Sequence, residues 1–215
     1  MSNFKQYRDI KKGEFFYVGA DTSMGLNDYC VAQFFSAKYL DVPLVYSNKA
    51  ICGVMTSELL PVLNNLSELT GHNPLVAYER QNGGAFELDR LAGLNKRGLF
   101  DIYKAPSETD KLGWDTNTAT RPSMLSNLKD AIDNRLIRIY DKKTIEEMFS
   151  FVKVQHSTSV KAEAEKNAHD DCVMALAIAY GMYLQYPDLM MVKTSCQNQL
   201  DKYHRSIENT EVQGY

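Results

Sequence analysis

The chain has 215 residues, of which 44% are hydrophobic and 24% charged, a globular mix that excludes a disordered or fibrous protein. At this length one fold buries roughly 70% of its unfolded surface, so neither disulfides nor a structural metal is needed merely to fold. Lys plus Arg number 24 against 27 for Asp plus Glu, a net charge of −3, which excludes a chain-wide basic surface and leaves any nucleic-acid contact local.

The first 14 residues lack the apolar run of a signal peptide. Two runs, Glu14 to Asp21 and Asp28 to Ser36, are rich in aromatic and β-branched residues and read as a β-hairpin across a Gly- and Asn-containing link. Val42 to Ser47 adds a third strand, which Pro43 confines to an edge or a strand start. From Ser57 to Leu69 the residues Leu59, Leu60, Leu63, Leu66 and Leu69 recur at helical spacing, and Gly71 ends the helix. Pro74 to Glu79 is a short apolar run of the kind found in fully buried strands. Gly83-Gly84 breaks the chain before a helix at Ala85 to Leu94, and Phe100 to Lys104 reads as a strand. A polar loop spans Ala105 to Pro122; loops that long inside a compact domain are usually functional or mobile. A helix follows at Ser123 to Asn134 and a strand at Leu136 to Tyr140, while Thr144 and Glu147 have the spacing of a capping box for a helix through Phe151. His156 to Asn167 is a polar loop, and His169 to Leu184 a strongly apolar helix opened by acids.

No repeat or linker divides the chain. The expectation is one α/β domain over residues 1–215, with a core at about 14–186 and an irregular tail at 187–215. The longest apolar stretch, Val173 to Leu184, is 12 residues, too short to span a bilayer. Cys30, Cys52, Cys172 and Cys196 match no zinc spacing and read as buried thiols in a reducing compartment. The expected protein is soluble and intracellular.

Three acids occupy comparable positions. Asp21 ends the first strand, Glu79 ends a buried strand, and Asp170-Asp171 opens the apolar helix. Ligands of open α/β sheets gather at the carboxyl ends of strands, so these acids can converge on one pocket. Converging carboxylates repel one another and are tolerable only with protons or cations among them; hard ions such as Mg²⁺ or Mn²⁺ suit oxygen donors. Taken singly, each acid is an ordinary cap or turn residue. The set carries the chemistry.

Gly19-Ala-Asp21-Thr-Ser-x-Gly25-x-x-Asp28-Tyr, Val76-Ala-x-Glu79-x-x-x-Gly83 and His169-Asp170-Asp171-x-Val-Met-Ala-Leu-Ala occur in this order. With Leu112-Gly-Trp114, Thr120-Arg-Pro122 and Lys161-x-Glu163-Ala between them, they resemble the nuclease domain of the large terminase subunit of tailed bacteriophages, from about Tyr17 to Leu184. The resemblance implies an RNase H-like fold, a mixed sheet of antiparallel hairpin strands followed by parallel strands and flanked by helices. It also implies a metal-dependent endonuclease that cuts concatemeric viral DNA during packaging, with Asp21, Glu79 and Asp171 as catalytic metal ligands. Asp28 matches an accessory acid and Asp170 a second-shell or alternate ligand. Two Mg²⁺ or Mn²⁺ ions about 4 Å apart would support phosphodiester hydrolysis without a side-chain nucleophile. Implied partners are double-stranded DNA, a packaging ATPase domain, the small terminase subunit and the portal, in the cytoplasm of the infected host cell. The phosphate loop G-x-x-x-x-G-K-[ST] is absent from the sequence, so no ATPase motor is expected in this chain.

Within the helix, Asp171 lies on the stripe Met174, Ala175, Ile178 and Met182, which should face the sheet. Asp170, about 100° round, should cap the first turn. Arg80, Lys153, Lys161, Lys166 and His169 are candidate phosphate contacts, although Glu163 and Glu165 interrupt the lysines. Trp114 should anchor its loop on the body. A junction resolvase or transposase relative is an alternative, and so is a nucleotide-binding module of the actin and sugar-kinase superfamily, whose phosphate hairpin also begins with an acid. That second class needs two lobes, and the chain has residues for one.

Overall fold

The computed structural model describes residues 3–24, 28–105, 111–155 and 169–187. By backbone contacts the chain divides into Met1–Tyr183 and Leu184–Tyr215; the sheet and the site belong to the first. The expected tail lies, from residue 188 on, outside the described residues, as do Cys196 and the loop His156 to Asn167.

Alternation builds the sheet. β2 (Phe16–Asp21), β3 (Cys30–Ser36) and β4 (Asp41–Asn48) form an antiparallel meander, and β5 (Leu75–Tyr78) and β6 (Asp101–Ile102) add to β2 in parallel. β1 (Phe4–Gln6) and β7 (Arg138–Ile139) share the outer edge of β4, giving seven strands among the described residues. Phe16, Val18 and Ala20 of β2, with Cys30, Ala32 and Phe34 of β3, pack against α1 (Cys52–Thr70) and α2 (Gly84–Leu94). The intervening residues face the other side, where α5 (Asp171–Gln185) lies on the sheet and Phe35 meets Tyr180 edge-on. Gln33, also on that side, donates to Thr144 of α4 (Lys142–Gln155) and to the Cys172 carbonyl. An apolar groove of about 420 Å³ runs between α3 (Thr120–Asp133) and α4.

Several boundaries differ from the sequence expectation. α1 starts at Cys52 and runs through Pro61, because buried Cys52 and Met55 extend the stripe Leu59, Leu63, Leu66 while Pro61 sits on the exposed face. The Ser57 carbonyl, which loses its helical donor to the proline, therefore lies on the exposed side. Gly71 ends the helix at φ 78°, its amide reaching the Ser67 carbonyl. The strands expected near Phe100 and Leu136 shrink to the two-residue pairings β6 and β7. β4 is not an outer edge. Pro43 instead falls between the segments covered by β7 and β1, opposite the register shift between Phe34 and Ser36. The capping box is also not met: Asp141 caps α4, accepting from both the amide and the hydroxyl of Thr144 at 2.8 Å.

Helix α5 is buried all round from Asp171 to Tyr180, not on one stripe. Gly19 explains how it sits so close. A Cβ there would lie 2.3 Å from the Ala175 carbonyl oxygen and 2.4 Å from the Ala179 nitrogen, so the helix backbone rests directly on β2.

At the opposite end of β2, Arg8 grips two buried carboxylates with both edges of its guanidinium, Glu14 at 2.9 and 2.8 Å and Asp41 at 2.7 Å twice. Burial alone would push Glu14 up; Arg8, the Lys11 amide and the Ser36 hydroxyl overcome that and hold it below the usual range. A depressed folded value means that this stabilisation is complete above the usual Glu range and is lost as pH falls through the lowered one. Arg8→Ala should cost roughly 3–5 kcal/mol at pH 7 by leaving both acids unpaired. Urea titrations should show that deficit narrowing in acid, as Glu14 protonates.

Candidate metal centre

The final register pair between β2 and β5 sets Ala20 beside Tyr78. The next residues, Asp21 and Glu79, therefore stand side by side at the carboxyl ends of neighbouring parallel strands, on the α5 face. The Glu79 amide donates to the Ala20 carbonyl at 2.8 Å, which fixes the pair in step. Both are 7% exposed, and their carboxyls lie within hydrogen-bond reach of each other. Burial, then the charges of Glu79, Asp171 and Asp170, push Asp21 well above the usual carboxylate range. They open into a cavity of about 470 Å³ that Asp171, Asp170, Asp28 and His169 also line.

Asp171, 9% exposed, begins α5. Its Oδ2 accepts the Tyr29 amide at 3.1 Å. Burial raises it, against the lowering effects of that amide, Lys143 and His169. His169 Nδ1 stands 3.4 Å from Asp28 and 3.8 Å from Asp171, its ring edge-on to Tyr29.

Asp170 does not cap the first turn with its side chain. Glu147, on α4, does so: its Oε2 accepts the Cys172 amide at 2.7 Å and the Val173 amide at 3.4 Å. Asp170 stays at the helix entry through its carbonyl, bonded to the Met174 amide, and its carboxylate turns to Arg121. The physical reason is competition: a cationic partner beside the cavity holds Asp170 while a buried acid from another helix fills the cap.

Arg80 is not brought to the cavity. Its guanidinium donates to the Leu112 carbonyl at 2.8 Å and so holds the Trp114 segment. Trp114 packs on Tyr103 and against Gly181, anchoring its loop. Lys153 lies in α4, its side chain outside the description, and Lys161, Lys166 and Gly25 are outside the described residues. Sequence reasoning missed the other wall: Gln81, Asn82, Thr116, Asn117, Thr118 and Arg121. It also missed Lys143 and Lys49, whose ammonium groups lie 3.3 and 4.9 Å from the Tyr29 ring centre. Only the polarity of the 105–122 loop hinted at the first, and nothing local marked the second.

Among the described residues no three His, Cys, Asp or Glu side chains already form a closed ligand set around one point. The donors nevertheless fit a hard divalent ion. They are all carboxylate oxygens, two of them crowded together in a buried place where only a proton or a cation relieves their repulsion.

Neither a family model nor a curated protein sequence matches the chain. Solved structures do. The large terminase nuclease from thermophilic phage G20c superposes with a TM-score of 0.60 at 19% identity, covering 84% of this chain and 89% of that one. The fold is that of the terminase nuclease domains. The Thermus phage P74-26 large terminase nuclease domain gives 0.58 at 22% identity, covering 84% and 85%. The G20c nuclease with bound magnesium gives 0.59 at 21%, covering 84% and 88%; that protein has also been solved with cobalt and with zinc. The mixed sheet expected from the resemblance, RNase H-like and flanked by helices, is thus the observed one. Among the described residues no helix is long and apolar enough to cross a membrane.

Glu147→Ala should strand the buried Cys172 amide at the start of α5 and cost about 1–3 kcal/mol. Glu147→Gln, which still accepts a hydrogen bond, should recover most of that; chemical denaturation of both variants measures the difference.

Proposed function

We propose that this chain is a metal-dependent endodeoxyribonuclease that cuts concatemeric viral DNA during genome packaging. One observation carries the reading: Asp21, Glu79 and Asp171, far apart in sequence, meet at a single cavity in a terminase-nuclease fold. Asp21, Glu79 and Asp171 would hold two Mg²⁺ or Mn²⁺ ions, with Asp170 as a further or alternate ligand. Bound there, such ions activate water for attack on a phosphodiester and stabilise the leaving oxygen.

The chain's own residues prepare the place. The Tyr29 amide orients Asp171. Glu147 fixes the start of α5 from another helix, and Gly19 lets that helix lie against the strand bearing Asp21. Asp21, Glu79 and Asp171 are largely buried at the floor of the cavity, which Asp28, His169 and Asn117 line on its more exposed side. Lys49 and Lys143 beside Tyr29 supply sequence-independent attraction for a duplex. Partners consistent with this role are the packaging ATPase domain, small terminase subunit and portal, in the infected host's cytoplasm.

Plasmid digestion tests the reading. Nicking or linearisation should require Mg²⁺ or Mn²⁺, show little sequence preference, and stop in excess EDTA. Asp21→Asn and Asp171→Asn should fall to background while remaining folded. Asp170→Asn should keep part of the rate, losing roughly 10–100-fold as supporting residues of metal sites do. Undiminished cutting in EDTA would remove the proposal. No DNA-stimulated phosphate release from ATP is expected.

A further inference from the structure

The neutral and cationic wall of the cavity faces the acids with donors. Thr116, Asn117, Thr118 and Arg121 line it, and none bears negative charge. Asn117 is committed, since its carbonyl accepts the Ala119 and Thr120 amides at 2.9 Å and so caps α3. Thr116 is not. It is 6% exposed, and its hydroxyl has no hydrogen-bond partner among the described residues. Arg121 is paired to Asp170 across the cavity, the two side chains 36% and 27% exposed.

A partly exposed pair of this kind has little net worth against water, so each member readily exchanges for a better partner. For a guanidinium the better partner is a phosphate, whose oxygens match its planar fork. For Asp170 it is a divalent cation beside Asp21 and Asp171. We propose that Arg121 binds the non-bridging oxygens of a DNA phosphate lying across the cavity, and that Asp170 holds Arg121 in reserve until cations and DNA arrive. The exchange keeps every charge paired: Asp170 passes from guanidinium to cation, and Arg121 from carboxylate to phosphate. The inference rests on the nuclease reading for its substrate, and it gives Arg121 a role in binding DNA that the acids do not fill.

The test is a double-mutant cycle on the full chain, read by fluorescence anisotropy of a labelled duplex in EDTA across a salt series. Asp170→Asn should tighten binding by releasing Arg121, up to about fivefold, the ceiling for a partly exposed pair. In an Arg121→Gln background the same substitution should gain less, because only a negative charge is lost and no guanidinium is freed. Equal gains in the two backgrounds would overturn the reserve arrangement. In the Asp170→Asn background, where no carboxylate holds the guanidinium, Arg121→Gln should lower the slope of log affinity against log salt by about 1, and Arg121→Lys should preserve it. An unchanged slope in that background would overturn the phosphate contact. Plasmid cleavage with Mn²⁺ separates the two readings. A wild type that binds as described but does not cut removes the nuclease reading and leaves Arg121 a phosphate contact. A wild type that cuts, with Arg121→Gln equal to it in KM for DNA, removes the Arg121 inference and leaves the nuclease reading in place.

Discussion

Repulsion between neighbouring carboxylates is the constraint around which this molecule is arranged. Because β2 and β5 are adjacent and parallel, one register step beyond Ala20 and Tyr78 places Asp21 beside Glu79. Two such groups in a buried place favour losing a charge, which is the direction in which Asp21 is pushed. A third carboxylate on α5 worsens the balance, and the fold supports it with local dipoles: the Tyr29 amide on Asp171, and Lys143 close enough to lower it. A strongly perturbed carboxylate lining a cavity marks a candidate functional site.

The placement of α5 then becomes the critical structural task. A contact at each end of its first two turns performs it: Glu147 at the entry and the Gly19 seat one turn in. Glu147 lies on a helix that carries none of the acids, and Gly19 on the strand that ends at Asp21. Glu147 is itself tied to Lys143 of the same helix at 3.7 Å, and Lys143 packs on Tyr29. The position of Asp171 is therefore shared by α4, β2 and β3. Charge is divided along the same lines, with acids confined to strand ends and the helix entry, and lysines kept to the flank by Tyr29.

Much of this was legible in the sequence because it is local. The aromatic and β-branched runs Glu14 to Asp21 and Asp28 to Ser36 are readable as a hairpin, and β2 and β3 do pair antiparallel. Glu79 could be read as a strand-end acid from a four-residue apolar run. What was not legible depends on tertiary geometry. Thr144 and Glu147 have capping-box spacing, yet Asp141 outcompetes Thr144 for the cap and Glu147 serves a different helix. Asp170 and Asp171 are consecutive, and only the position of Arg121, fifty residues upstream in order of magnitude, decides which of them turns away. Arg80 follows Glu79 directly but points to the Leu112 carbonyl, since successive residues of an extended chain face opposite ways. Pro43 pointed to an edge that does not exist, because two short strands, β1 and β7, cover β4 on either side of it.

Gly19 has one more consequence. Where a helix rests on a strand through side chains, small rotations of those chains let the layers slide. Here main chain meets main chain, with Ala175 and Ala179 over a residue that has no side chain at all. That seam has no give, so the carboxylate side of the cleft behaves as a fixed jaw. On the other wall, the head of α3 is held by the Asn117 side chain, which accepts the Thr120 amide, and by the partly exposed pair of Arg121 with Asp170. The spacing between Asp21 and the start of α5 is by contrast set by contact between two backbones and not by side-chain packing.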